Sequence, residues 1–240
     1  MTLGTRLIRA YFNFAYNPVY DFTTGRLNLY RKLQERCVGK LEFEDNDRVL
    51  CVGLGTGNEI FHVLETNRNV SIVGVDYSYT SLQKAYKKAL AWGKEITVLA
   101  MDARCLEFTT GTFDKVLCIH VMDFVEENKK VTDEILRVLK DEGQFVITYP
   151  SDKEGVSLGL NILKDIIRHN INPGRHRAIE FLKSLVQMLV WTVYLPLFLR
   201  SKKRSYSRHE LQMMIAELTT GDLKIEEDPV YQDFIVYGIK

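Results

Sequence analysis

Between residues 49 and 149 the chain alternates short, almost wholly apolar runs with longer stretches in which apolar residues recur every three or four positions. The runs at 49–52, 71–75, 96–101, 115–119 and 144–149 are bounded by glycine, aspartate and charged turns. Runs of that length and composition predict strands buried on both faces. The stretches 59–66, 78–92 and 129–139 lie between them and predict helices. Strand and helix in alternation make βαβ units, whose right-handed crossovers build a parallel, doubly wound sheet. Two more runs, 223–226 and 234–239, are close enough in sequence for an antiparallel hairpin. The expectation is an α/β fold with a seven-stranded, mostly parallel sheet.

The flanks depart from this rhythm. Residues 5–40 are helical and aromatic, with a first segment at 7–14, a corner at Asn17-Pro18 and a second segment at 27–38. Residues 155–208 fit neither the strand rhythm nor a linker and read as an insertion. Ser207-Arg208-His209-Glu210 has the capping-box pattern and predicts a helix over 211–218. At 240 residues the chain can bury one α/β core with a modest addition. The division that follows is an N-terminal helical segment at 1–45, a core at 46–154 and 209–240, and a helical cap at 155–208.

The first run, Val49-Leu50-Cys51-Val52, leads directly into Gly53-Leu54-Gly55-Thr56-Gly57, and a helix opens near Asn58. Glycine lets the chain turn sharply and lets a ligand reach the backbone without meeting a Cβ, while the helix start offers free N–H groups to an anion. Asp76 closes the second run, where a carboxylate can accept both hydroxyl hydrogens of a ribose. Asp102, in Met101-Asp102-Ala103, ends the third and is placed to accept from an adenine amino group. A dinucleotide fits less well, because the loop lacks the third glycine of GxGxxG that allows close packing beside a pyrophosphate.

Together with Gly74-Val75-Asp76-Tyr77-Ser78, Phe113-Asp114-Lys115-Val116 and Arg137-Val138-Leu139-Lys140-Asp141-Glu142-Gly143, these segments resemble the successive motifs of class I S-adenosylmethionine-dependent methyltransferases, over about residues 47–150. The resemblance implies a Rossmann-like fold and S-adenosyl-L-methionine as cofactor. By position it implies a cofactor site of Gly53, Gly55, Thr56, Gly57, Asn58, Asp76, Tyr77, Asp102, Ala103 and His120. Cys51 departs from the pattern: many members carry an acid there, two places before the first loop glycine, toward the methionine amino group. Tyr16-Asn17-Pro18-Val19-Tyr20-Asp21, followed by Gly25, resembles the lead-in helix of ubiquinone/menaquinone-biosynthesis and bacterial phospholipid N-methyltransferases. That likeness implies a lid over the cofactor with Tyr16 and Tyr20 in it; plain aromatic packing onto the sheet is the alternative.

Displacement of a sulfonium methyl asks chiefly for in-line positioning, and for a base only when the acceptor arrives protonated. His120, at the end of the fourth run, is the best-placed titratable group, with Asp123 and Tyr20 as further catalytic candidates. A cofactor-lining or backbone-satisfied histidine is the plainer reading of the same residue. Residues 184–199, SLVQMLVWTVYLPLFL, carry no charge, and Arg200, Lys202, Lys203, Arg204 and Arg208 follow. The stretch is shorter than the roughly 20 residues of a spanning helix and contains Pro196. It therefore predicts a cap helix, or an interfacial helix meeting anionic headgroups. Either way an apolar wall implies a lipophilic acceptor, quinone-like or a lipid headgroup.

A net charge of +1 supplies no global field for nucleic acid, and no Asn-Pro-Pro-Tyr-like motif follows the fourth run. Cys37, Cys51, Cys105 and Cys118 lack CxxC spacing, which predicts mostly buried thiols in a reducing compartment and no metal site. No apolar signal core follows Arg6 and Arg9, which points to the cytoplasm. Peripheral attachment to the inner face of a membrane through 184–208, and a homodimer, are the open expectations for partners. The competing reading is a cofactor-binding, catalytically silent subunit that docks another protein through 184–199.

Overall fold

The structure, a computed structural model, describes residues 20–21, 27–152, 156–170, 186, 205–216 and 223–240. Its strands are β1 (Arg48–Val52), β2 (Ser71–Asp76), β3 (Thr97–Ala100), β4 (Phe113–Cys118), β5 (Leu139–Tyr149), β6 (Leu223–Glu227) and β7 (Phe234–Ile239). The described helices are α1 (Asn28–Val38), α2 (Asn58–Glu65), α3 (Tyr79–Ala91), α4 (Asn128–Val138), α5 (Val156–Asn170) and α6 (Arg208–Ala216). The strands form one seven-stranded sheet in the order β3-β2-β1-β4-β5-β7-β6. Neighbours from β3 to β5 are parallel, and β7 runs antiparallel to both β5 and β6. The doubly wound sheet and the closing hairpin are thus as the apolar pattern predicts.

β1 is buried beyond Arg48 because its two faces meet different cores. Val49 and Cys51 pack with apolar residues of α1, α2 and α3, while Leu50 and Val52 pack with those of α4 and α6. Fully burying one such large aliphatic side chain stabilises the fold by about 1.5–3 kcal/mol. The helices lie down for the complementary reason: α4 buries Val131, Ile135 and Val138 along one stripe, and α1 buries Leu29, Leu33 and Cys37. Ser78 caps α3 by accepting from Ser81 N at 3.3 Å. α6 opens on the predicted box, with Glu210 N to Ser207 Oγ at 3.3 Å and Ser207 N to Glu210 Oε2 at 2.9 Å.

One strand differs from expectation. β5 begins at Leu139 rather than at residue 144, and Leu139 pairs with Phe113 across a register shift. The exposed pair Asp141 and Glu142, the latter at φ 61°, is carried inside the strand, so apolarity marks only its buried half. Tyr16, the segment 7–14 and the apolar stretch 184–199 apart from Val186 lie outside the described residues. Among the described residues, no helix is long and apolar enough to cross a membrane.

The topology fixes the place of a ligand. From β1 the chain winds outward to β3, returns to β4 beside β1, and then winds the other way. The C-terminal ends of β1 and β4 therefore border the crevice where ligands bind in open α/β sheets.

Candidate active site

β1 ends in Gly53, held at φ 68°, where an added Cβ would lie 2.1 Å from Val121 Cγ2 in the segment after β4. Only hydrogen fits, and the two strand ends close on each other there. Gly55, at φ 55°, is the opposite case: a Cβ would meet nothing nearer than Gly53 O at 3.9 Å. Its outer face is open backbone, the cradle that a close-lying adenosyl or amino-acid group needs. Gly57 then caps α2. The buried Nδ2 of Asn58 has no hydrogen-bond partner among the described residues, which leaves a donor unmet beside this cradle.

Asp76 ties the loop to β2. Its Oδ2 accepts from Gly55 N at 2.8 Å and its Oδ1 from Ser78 N at 2.7 Å. Burial pushes its carboxyl above the ordinary range, and the two backbone N–H groups pull it back. Each oxygen keeps a lone pair, so the same carboxylate can accept ribose hydroxyls while holding the loop. Tyr77 beside it is exposed.

Asp102 follows β3 but faces a partner the sequence reading did not name. Arg104 Nη2 donates to its Oδ2 at 2.7 Å, and Arg104 Nε and N donate to its Oδ1 at 3.0 and 2.9 Å. This fork holds the Asp102 carboxyl below the usual range. Arg104 Nη1 reaches on to Glu127 Oε2 at 3.0 Å. Ala103 packs against the apolar cluster that includes α4.

Thr56 and Asn58 are drawn into a second network. Lys88 Nζ, from α3, donates to Asp21 Oδ1 at 2.6 Å, Asn58 Oδ1 at 2.7 Å and Thr56 Oγ1 at 3.2 Å. Thr56 Oγ1 donates in turn to Asp21 Oδ1 at 2.7 Å. The N-terminal Tyr20-Asp21 pair is thereby fastened to the glycine loop. Tyr20 itself donates through its hydroxyl to Tyr30 Oη at 3.0 Å.

His120 closes the other side of the crevice, at φ 57°. That conformation costs a non-glycine residue about 1–3 kcal/mol and persists only where surrounding contacts over-determine it. Its backbone N–H donates to Thr148 Oγ1 at 2.8 Å. Nδ1 lies 3.3 Å from Asp123 Oδ2, and Nε2 lies 3.4 Å from Asp233 Oδ2. The rings of Tyr30 and Tyr231 stand 5.0 and 4.6 Å from the imidazole. Nδ1 is within hydrogen-bond reach of Asp123, whereas Nε2 is buried and makes no hydrogen bond among the described residues, although Asp233 Oδ2 lies 3.4 Å away. Tyr20, Asp123 and His120, named separately from sequence, are brought into one cluster through Tyr30.

Asp233 is the member that sequence reasoning missed. It is 1% exposed and sits on the β6–β7 turn. That turn is anchored by Asp228, which pairs with Arg36 of α1, accepts from Val230 N and Tyr231 N, and donates through its own N to Asp233 O at 2.8 Å. Cys37, Cys51 and Cys118 are buried free thiols and Cys105 is exposed. Among the described residues no cluster of three or more His, Cys, Asp or Glu side chains could hold a metal ion.

A family model described as a methyltransferase domain matches residues 43–188, more than half of the chain. A phosphatidylethanolamine N-methyltransferase from Cereibacter sphaeroides is 33% identical, over 54% of this chain and 62% of that protein. A demethylmenaquinone methyltransferase from Thermus thermophilus is 31% identical, over 58% of this chain and 64% of that one. A ubiquinone/menaquinone biosynthesis C-methyltransferase from Geotalea uraniireducens is 27% identical, over 54% and 57%. The match thus spans about three-fifths of the length of these relatives. In fold, a possible histamine N-methyltransferase from Thermotoga maritima superposes with a TM-score of 0.61 at 15% identity, covering 96% of this chain and 98% of that one. An Aquifex aeolicus S-adenosylmethionine-dependent methyltransferase gives 0.57 at 15%, covering 86% and 88%. With its strand order, its glycine cradle and the acid that ends β2, the chain belongs to the methyltransferase-domain family, the class I enzymes whose cofactor is S-adenosylmethionine.

Proposed function

We propose that this chain transfers the methyl group of S-adenosylmethionine to a lipophilic small molecule, either a quinone-like ring or a lipid headgroup. The observation that carries the reading is the meeting of Gly55's open backbone face, the Asp76 carboxylate and the His120 imidazole at the β1–β4 crevice. When bound, the cofactor supplies an electrophilic methyl group on sulfur. The residues around it have separate tasks. Gly53, Gly55 and Gly57 would let the loop lie against its methionine part, and Asp76 would accept from the ribose. Tyr77, Asp102 and Ala103 would border the adenine end, where Asp102, already held by Arg104, would also accept from adenine. Thr56 and Asn58 stabilise the loop through Lys88. His120, hydrogen-bonded to Asp123 through Nδ1, would take a proton at Nε2 from an acceptor that brings one, with Asp233 Oδ2 3.4 Å from that nitrogen. Tyr20 and Tyr16 belong to a lid formed by residues 1–45.

The acceptor class rests on two supports. Two of the relatives are named for quinone methylation and one for phosphatidylethanolamine methylation. Residues 184–199 are uncharged and are followed by a cationic flank, which suits an apolar wall within a cap at 155–208 and peripheral contact with a membrane. The test incubates the protein with methyl-labelled S-adenosylmethionine and detergent-dispersed demethylmenaquinone or phosphatidylethanolamine. Label recovered in the organic phase with either acceptor supports the reading. Bound cofactor with no label in either lipid contradicts the lipophilic acceptor.

A further inference from the structure

Cys51 puts a buried, uncharged thiol on β1 at the position where many family members carry an acid toward the cofactor's amino group. A carboxylate stands close by on the next element. Glu59 lies in the first turn of α2, directly after the glycine loop, and is only 8% exposed. Its own backbone N–H favours the ionised form of its carboxylate. The charges of Asp76, at the end of β2, and of Lys88, on α3, act on it, and its own charge acts on the thiols of Cys51 on β1 and Cys118 on β4. Its place in the first turn of α2 sets it directly after the glycine loop and inside the fold. Lys88 is the single cation of that set, and its ammonium is spent on Asp21, Asn58 and Thr56.

A carboxylate buried without a cation of its own is costly, and the cost is relieved by protonation or by the arrival of a cation. Burial first, and then the charge of Asp76, push the Glu59 carboxyl up to about 8. We infer that Glu59 is the acceptor for the α-ammonium group of the cofactor's methionine part, in place of the acid that Cys51 lacks, an assignment that rests on the cofactor reading above. In the ligand-free protein near neutral pH most molecules then hold Glu59 protonated. An ammonium group set against it favours the carboxylate, and the proton leaves to solvent. Cofactor binding at a pH of about 7.5 is therefore coupled to release of about three-quarters of a proton.

The test is calorimetry of S-adenosylhomocysteine binding to the full chain, in buffers of different ionisation enthalpy, for wild type and Glu59→Gln. A second ligand, the same molecule without its α-amino group, is titrated alongside. Wild type should release more than about half a proton at pH about 7.5, and the release should fade as pH is raised toward about 9.5, where the carboxyl is already ionised. It should also prefer S-adenosylhomocysteine to the deaminated ligand by about tenfold or more, as a charge-assisted hydrogen bond gives. Glu59→Gln should lose both the release and most of the preference. Equal proton counts and equal preference in the two proteins would overturn the assignment. If the variant does not fold, the wild type's pH series and ligand preference decide alone. A folded wild type that binds no S-adenosylhomocysteine would remove the cofactor reading and this inference together, an outcome distinct from binding without proton release.

Discussion

The two walls of the β1–β4 crevice are assembled by different means. On the β1–β2 wall, Asp76 is held by backbone N–H groups of Gly55 and Ser78, and the loop's shape comes from glycines. On the β4 wall, His120 depends on Thr148 of β5, Asp233 of the β6–β7 turn, and Tyr30 of α1. The first wall is a short motif that carries its own geometry. The second exists only once distant elements have packed. A cofactor common to a family can be served by the first kind of wall, whereas the second can vary with the acceptor.

The comparison can be broken most sharply at Asp76. Asp76→Ala removes the carboxylate that holds Gly55 and that we propose accepts from the ribose, and should weaken S-adenosylhomocysteine binding by about two to three orders of magnitude in calorimetry. Next is the pH dependence of stability. The folded pKa of Glu59, about 8, lies above the unfolded carboxyl value of 4.5. The native state thus binds the extra proton between those values, and stability falls as pH rises through that window. Thermal melts should show wild type losing up to about 3 kcal/mol from pH about 5.5 to 8.5, and Glu59→Gln losing much less. A parallel slope in the two proteins would remove Glu59 as its cause.

The loop glycines separate packing from ligand access. Gly53→Ala drives a methyl group into Val121 and should cost about 2–3 kcal/mol, lowering Tm by about 5–10 °C. Gly55→Ala meets no neighbour, so only its left-handed backbone should count, about 1 kcal/mol, and its larger effect should appear in cofactor affinity. The smallest effect is expected from Asp233→Asn. It should change S-adenosylhomocysteine affinity by less than about threefold, because it acts on the β4 wall rather than on the glycine loop, yet shift the His120 ring signals in an NMR spectrum of labelled histidine. An affinity loss as large as that of Asp76→Ala would show that the walls are not separable.

The same contrast explains what could be read from the sequence. The glycine loop, Asp76 and the Ser207 box are legible because their contacts lie within a few residues or follow a strand end. The alternation of apolar runs likewise carries the sheet. Asp233 and Lys88 are not legible, since nothing local distinguishes them from other acids and lysines until packing sets them beside His120 and Asn58. Asp102 is an intermediate case. Its strand-end position is legible, but reading it as a free acceptor overlooks Arg104, two residues on, whose guanidinium folds back on it. The early start of β5 is hidden because its exposed half carries charge rather than apolar residues.

Titration of S-adenosylhomocysteine into wild type and Asp76→Ala, each shown by circular dichroism to be folded, tests the central claim most directly. Saturable wild-type binding that the substitution abolishes or weakens by about a hundredfold is the predicted result. A folded wild type that binds no cofactor, or a variant that binds as tightly as wild type, would contradict it.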